Sequence, residues 1–250
     1  LNDIQIIVSH FKELNREPLK NPYLEICNAQ EGIKPTGFNL YDSSFDDNIS
    51  EKNKAFCELS ALYSVWNSNL FKNFVGLAHY RRFFIFDNLN VHSIERNFDT
   101  LIKDSEIYLE KLQKLSCDMV VPIPLDFSGW EHNSIYKHFC ALHPNLIDVF
   151  NKVCDILDYC LGKNNFSLDW FNSNQYLYPY NMFFGRKEII DRWCSVIFTV
   201  LFELENQVDT NFSGYDSRWA GFISERLFSF FVQTQCIEYN TINSTIAFYG

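Results

Sequence analysis

Five short apolar runs punctuate the chain, and their spacing is what most limits the folds open to it. Ile4–Val8, Tyr23–Cys27, Phe74–Ala78, Asp118–Pro122 and Met182–Phe184 are too short for helices and rich in β-branched or aromatic residues. Continuous apolar runs of this length read as strands buried on both faces. Longer amphipathic stretches separate them. A helix is predicted from an N-cap at Ser50 to about Asn67–Asn69, with Phe56, Leu59, Leu62, Tyr63 and Trp66 on one face. Further helices are expected over 93–116, over 134–161 with an interruption at His143-Pro144, over Glu188–Glu205 and over Gly221–Gln233. Residues 28–48 and 163–179 read as polar loops, and Gly214–Ser217 as a turn. Strands alternating with helices, without repeat or linker, predict one α/β domain around a mostly parallel sheet.

Composition narrows the function classes. The 250 residues are 47% hydrophobic, ample for one large core. With 21 Lys+Arg against 31 Asp+Glu the net charge is −10, so the chain is a poor candidate for tracking nucleic-acid phosphates over a broad surface and any anion site has to be a local basic cluster. Eight cysteines are scattered without Cys-x-x-Cys or zinc-ligand spacing and read as reduced thiols of a cytoplasmic protein. There is no basic, apolar leader. The longest apolar run, Cys194–Phe202, is far short of the roughly 20 residues that cross a bilayer, so no transmembrane segment is expected. The chain opens on Leu1 and reads as a fragment of a longer protein.

Four constellations carry chemistry. His79-Tyr80-Arg81-Arg82 follows a buried strand and falls at its carboxyl end, where open α/β sheets bind ligands. Its guanidiniums suit a phosphate, or they pair with surplus carboxylates. In a strand Arg81 and Arg82 point to opposite faces, so one of them reaches a phosphate unless the chain bends. Asp47–Asn53 feeds a helix N-terminus and either holds a nucleotide or simply caps the helix. Asn181, opening a short strand, either bonds sugar hydroxyls or closes a turn. In Arg218–Arg226, Glu225 is either a general base or half of an ion pair that fixes a helix. Trp130 stands in a polar-aromatic stretch of the kind sugar sites use. No phosphate-cradling glycine loop is present, which argues against a phosphotransferase, and no Asp-x-Asp pair follows a strand.

Taken in order, Asp47–Asn53, Glu58-Leu59-Ser60-Ala61-Leu62-Tyr63, Val75–Phe84, Asp118–Pro122, Tyr180-Asn181-Met182-Phe183, Phe198–Glu205 and Gly221–Phe228 resemble a family of bacterial capsular-polysaccharide and O-antigen glycosyltransferase domains, long catalogued only as a domain of unknown function. Some members are linked to galactofuranose transfer. The chain departs from that pattern where Tyr63 is followed by Ser64 rather than Trp. The resemblance implies a GT-A-like fold, with residues 1–125 binding a nucleotide-sugar and residues 126–250 handling the acceptor. It also implies an inverting transfer from a UDP-sugar to a lipid-linked or oligosaccharide acceptor, at or near the inner face of the cell membrane. On that basis Ser9, His10 and Lys12, with Asn48, Lys52 and Asn53, are expected to border the nucleotide. His79, Arg81 and Arg82 are expected to hold the diphosphate with no metal required, Mn2+ or Mg2+ being the alternative. Glu225 is the first candidate base and His143 the second; Asn181, Trp130 and Arg218 are acceptor-side candidates. The competing reading is a non-catalytic carbohydrate-binding or assembly module of a polysaccharide synthase.

Overall fold

A computed structural model describes residues 3–13, 16–28, 36–38, 40–86, 91–163 and 166–250. Part of the loop expected over 28–48, including Gly32 and Pro35, lies outside the described residues. The strands are β1 (Ile4–His10), β2 (Tyr23–Cys27), β3 (Phe74–His79), β4 (Arg82–Phe84), β5 (Ser93–Arg96), β6 (Met119–Pro122), β7 (Leu125–Asp126), β8 (Tyr176–Leu177), β9 (Phe183–Arg186), β10 (Thr241–Ser244) and β11 (Ile246–Tyr249). The helices are α1 (Asn53–Phe56), α2 (Leu59–Asn67), α3 (Leu101–Leu112), α4 (Ile135–Leu142), α5 (Ile147–Leu161), α6 (Phe166–Ser173), α7 (Lys187–Gln207) and α8 (Trp219–Gln235).

The strand runs anticipated from the sequence build the main sheet. β1 lies parallel between β2 and β3, and the register puts Ser9 opposite His79. β9 enters antiparallel between β3 and β6, and β10 closes that side parallel to β6. From the end of β3 the chain turns through Tyr80 and Arg81 into β4. β4 pairs antiparallel with β11, and β11 pairs parallel with β5. Alternate residues of one strand face opposite sides of a sheet, and here they enter two separate cores. Ile7, Val75, Leu77, Val121 and Phe183 join the larger core under α2 and α4 to α8. Ile6, Val8, Ala78, Val120 and Phe184 join a smaller core with Leu101, Tyr108 and Leu112 of α3. The cavity in that smaller core, about 20 Å³ and lined by Ile6, Gly76 and Phe184, has the size of a water and is not a ligand site.

Several expected elements are redrawn. The helix expected from Ser50 is broken: a 3-10 turn over Ser50–Lys52 leads into α1, then Cys57 takes φ 51° before α2 starts. The cap position is Ile49, which offers no side-chain cap; the Asn48 side chain before it accepts from the Ser50 N–H at 3.1 Å and the Ser50 hydroxyl at 2.7 Å. The helix expected over 93–116 is shorter, because Ser93–Arg96 is drawn into the sheet as β5. The interruption at His143-Pro144 is present, as a 3-10 turn between α4 and α5. The 163–179 stretch holds α6 and β8 rather than a loop alone. β10 and β11 were not anticipated.

Candidate functional site

The carboxyl ends of β1 and β3, the turn before β9 and the start of α8 meet at one place. Three of the five non-glycine residues with positive φ among the described residues are there: Cys57 (51°), Tyr180 (71°) and Asn181 (51°). Backbone held in such conformations costs about 1–3 kcal/mol per residue and gathers where function requires it.

Those backbones orient a polar network. His79 Nε2 donates to the Tyr180 carbonyl at 2.6 Å, which leaves Nδ1 as the ring's free acceptor. The Tyr180 N–H donates to Glu225 Oε1 at 2.9 Å, and Arg226 Nη1 donates to Glu225 Oε2 at 2.8 Å. The same guanidinium reaches the Phe222 carbonyl at 2.9 Å. Asn181 Nδ2 donates to Glu58 Oε1 at 2.6 Å and to the Gly221 carbonyl at 3.2 Å. α8 packs closely on this kink: a Cβ on Gly221 would stand 3.4 Å from Cys57 Sγ. Arg218 Nε donates to Cys57 Sγ at 3.4 Å.

Arg81 and Arg82 part company at the hairpin. Arg82 is clamped between the rings of Tyr180 and Phe248, at 4.8 and 4.9 Å from their centroids, and its Nε is buried without a partner. Arg81 is exposed at the turn, 5.6 Å from the Tyr80 ring. Neither makes an ion pair among the described residues. Burial pushes the His79 imidazole below its ordinary 6.5, Glu58 opposes that shift, and Arg82 adds to it. Burial also raises the Glu225 carboxyl above its ordinary 4.5, with Arg226 opposing. The place thus joins a neutral imidazole, two carboxylates and two guanidiniums not committed to ion pairs, Arg82 and Arg218.

The other sequence candidates lie at varying remove. Ser9 is buried, and its carbonyl accepts the Tyr80 N–H at 3.0 Å, so it borders the cluster through backbone. His10 is buried against Phe38 and Tyr80 and donates to Glu25 Oε1 at 2.8 Å, while Arg16 holds the same carboxylate. Lys12 is exposed beside Phe11. Lys52 is ion-paired to Glu205 of α7 at 3.1 Å, and Asn53 accepts from the Ser60 hydroxyl. Asn48 is engaged locally, its Oδ1 by Ser50 and its Nδ2 by the Phe45 carbonyl at 2.7 Å. His143 is buried, stacked on Phe222 at 4.3 Å and 3.3 Å from Asp216 Oδ1. Burial and then Arg226 lower its pKa, against Asp216. Trp130 is 52% exposed in the turn before α4, packed on Phe127 and His138. Sequence reasoning missed Glu58, Tyr180 and Asn28 as site residues. Glu58 and Tyr180 stood inside stretches that carry the family resemblance; Asn28 had no local signal. Among the described residues no group of three or more His, Cys, Asp or Glu could hold a metal ion, and no helix is long and apolar enough to cross a membrane. All eight cysteines are free thiols.

The fold is that of a known glycosyltransferase. The apo structure of the bifunctional glycosyltransferase WbbM superposes with a TM-score of 0.88 at 23% identity, covering 100% of this chain and 46% of that one. The chain therefore spans just under half of that protein, and the GT-A-like architecture expected from the sequence is the one observed. No curated protein matches the sequence. Residues 5–236 match the family described as a domain of unknown function, DUF4422, and since that match takes in nearly the whole sequence, the chain belongs to the DUF4422 family.

Proposed function

We propose that this chain is a glycosyltransferase domain that moves a sugar from a nucleoside diphosphate donor, a UDP-sugar first among them, to a hydroxyl of a growing bacterial surface polysaccharide, with inversion. The observation that carries the reading is Arg82: a guanidinium held between two rings and in no close ion pair among the described residues, beside the carboxyl end of a central strand in a glycosyltransferase fold. In such a transfer the bond from the anomeric carbon to the diphosphate breaks and its electron pair leaves with the diphosphate. The acceptor oxygen bonds to the same carbon and loses its proton to a base. Arg82, with Arg218 and the exposed Arg81, would stabilise the charge that develops on the leaving diphosphate. Glu225 is the base we favour: its carboxyl is fixed at both oxygens, 21% exposed, and raised by burial toward a pKa suited to taking a proton. His143 is the less favoured candidate, since it is 1% exposed and stacked beneath Tyr215 and Phe222.

The residues here do not fit a divalent cation. Glu225 is taken up by a backbone N–H and Arg226, Glu58 receives the Asn181 amide, and arginines face both. No step is therefore assigned to a metal. A radiolabel assay with UDP-sugars and an oligosaccharide acceptor tests the reading. Transfer should continue in the presence of EDTA. Glu225→Gln should lower turnover about 10²–10⁴-fold while UDP affinity holds. Binding of oligosaccharide without any donor turnover would favour a carbohydrate-binding module instead, and loss of activity in EDTA with rescue by Mn2+ would remove metal independence.

A further inference from the structure

Two asparagines near the kink at Cys57 leave their carbonyl oxygens without partners. Asn28 follows β2; its N–H donates to the His10 carbonyl at 2.7 Å and its Nδ2 to the Cys57 carbonyl at 2.6 Å. Asn181 Nδ2 is tied to Glu58 and to the Gly221 carbonyl. These bonds fix which side of each amide is nitrogen, because only nitrogen can donate to a carbonyl. Both side chains are more than nine-tenths buried, Asn28 5% and Asn181 3% exposed, yet among the described residues Oδ1 of each has no hydrogen-bond partner. Buried acceptors are rarely left unmade. Two here share one short stretch of wall: Asn28 holds the Cys57 carbonyl, Gly221 packs on Cys57, and Asn181 holds the Gly221 carbonyl. With the buried Glu58 carboxylate beside them, the wall is rich in acceptors. What complements it is a group rich in O–H donors.

We infer that Asn28 and Asn181 form a hydroxyl-accepting wall that recognises the sugar being transferred. The inference rests on the donor reading above. Asn181 adjoins Tyr180, whose ring clamps Arg82, so the wall begins one residue from the proposed diphosphate anchor. The sugar of a nucleotide-sugar is bonded directly to that diphosphate. The left-handed backbone at Cys57, Tyr180 and Asn181 places the Cys57 carbonyl that Asn28 holds, the Asn181 amide and the carbonyl that orients His79.

Calorimetry of the whole chain with UDP, UDP-galactofuranose and UDP-galactopyranose tests this, using Asn28→Ala and Asn181→Gly. Glycine keeps the left-handed backbone at 181, so that variant removes the amide without new strain. The wild type should bind one UDP-sugar more tightly than UDP. Each variant should lose about tenfold in affinity for that sugar nucleotide while UDP affinity changes less than about twofold. Equal losses for UDP and UDP-sugar would assign the asparagines to the ribose or to the frame and overturn the inference. Unchanged affinity for both would show that water satisfies the two oxygens, and would overturn it too. A wild type that binds the UDP-sugar no better than UDP also rejects the wall, whereas one that binds neither rejects the donor reading beneath it.

Discussion

At the scale of single residues, the two neighbouring arginines show how much environment decides. Arg82 is stacked between Tyr180 and Phe248 with its charge free, whereas Arg81 stands in solvent. A planar guanidinium suits a ring clamp in a way an ammonium does not. Arg82→Ala should therefore weaken UDP binding roughly 10–100-fold, the range of a charged hydrogen bond or two. Arg82→Lys should recover little of it, and Arg81→Ala should cost less than about threefold. Isothermal titration decides, and equal effects at both positions would remove the distinction. The sequence pointed to this pair because four polar residues directly follow an apolar strand. It did not show which arginine faces inward, since Phe248 lies 166 positions away. Nor did it mark Asn28, an ordinary polar residue until tertiary contacts strip its carbonyl of partners.

Among elements, strands buried on both faces were legible because a continuous apolar run leaves little else for the chain to do. The strands β5 and β10 were not. Thr241–Ser244 is polar, and Ser93–Arg96 alternates like any exposed segment; both become strands only through partners distant in sequence, β6 and β11. The kink between α1 and α2 was hidden for the same reason: helical spacing continues through Cys57, and it is the hydrogen bond from Asn28 and the contact with Gly221 that break it. The junction of β3 and β9 has a testable tightness. A Cβ on Gly76 would meet the Phe183 carbonyl at 3.3 Å, Phe184 Cδ2 at 3.3 Å and Ile6 at 3.4 Å. Gly76→Ala should cost about 1–3 kcal/mol through overpacking and lower the melting temperature by roughly 3–10 °C. Gly129→Ala, with nothing within 4 Å, should leave it unchanged. Scanning calorimetry of the pair is the check.

For the whole molecule, buried and half-buried histidines set the response to acid. His10, His79, His92, His138 and His143 all lie below the ordinary 6.5 because of burial, His138 at about 4. Below pH 6.5 the unfolded chain takes up protons that the folded chain refuses, so stability is lost as pH falls through that window. Glu25 adds to this below 4.5. Burial alone would raise it, but hydrogen bonds from His10 and Arg16 bring it down to about 2. Glu225, raised by burial, works in the opposite direction. With five histidines against Glu225 in that window, the melting temperature should fall by several degrees between pH 7 and pH 4.5, at about 1.4 kcal/mol per pKa unit. A flat or rising series would show that these imidazoles are not neutral in the native state.

The last strand described, β11, has a consequence for how the protein is made. It fills the gap between β4 and β5, its Tyr249 N–H bonds to the Arg81 carbonyl, and its Phe248 forms one jaw around Arg82. A chain still emerging from the ribosome would therefore carry its central arginine half-gripped until residues 246–249 clear the exit tunnel. Anchoring capacity would arise with that strand and all at once, rather than building up as the sheet grows.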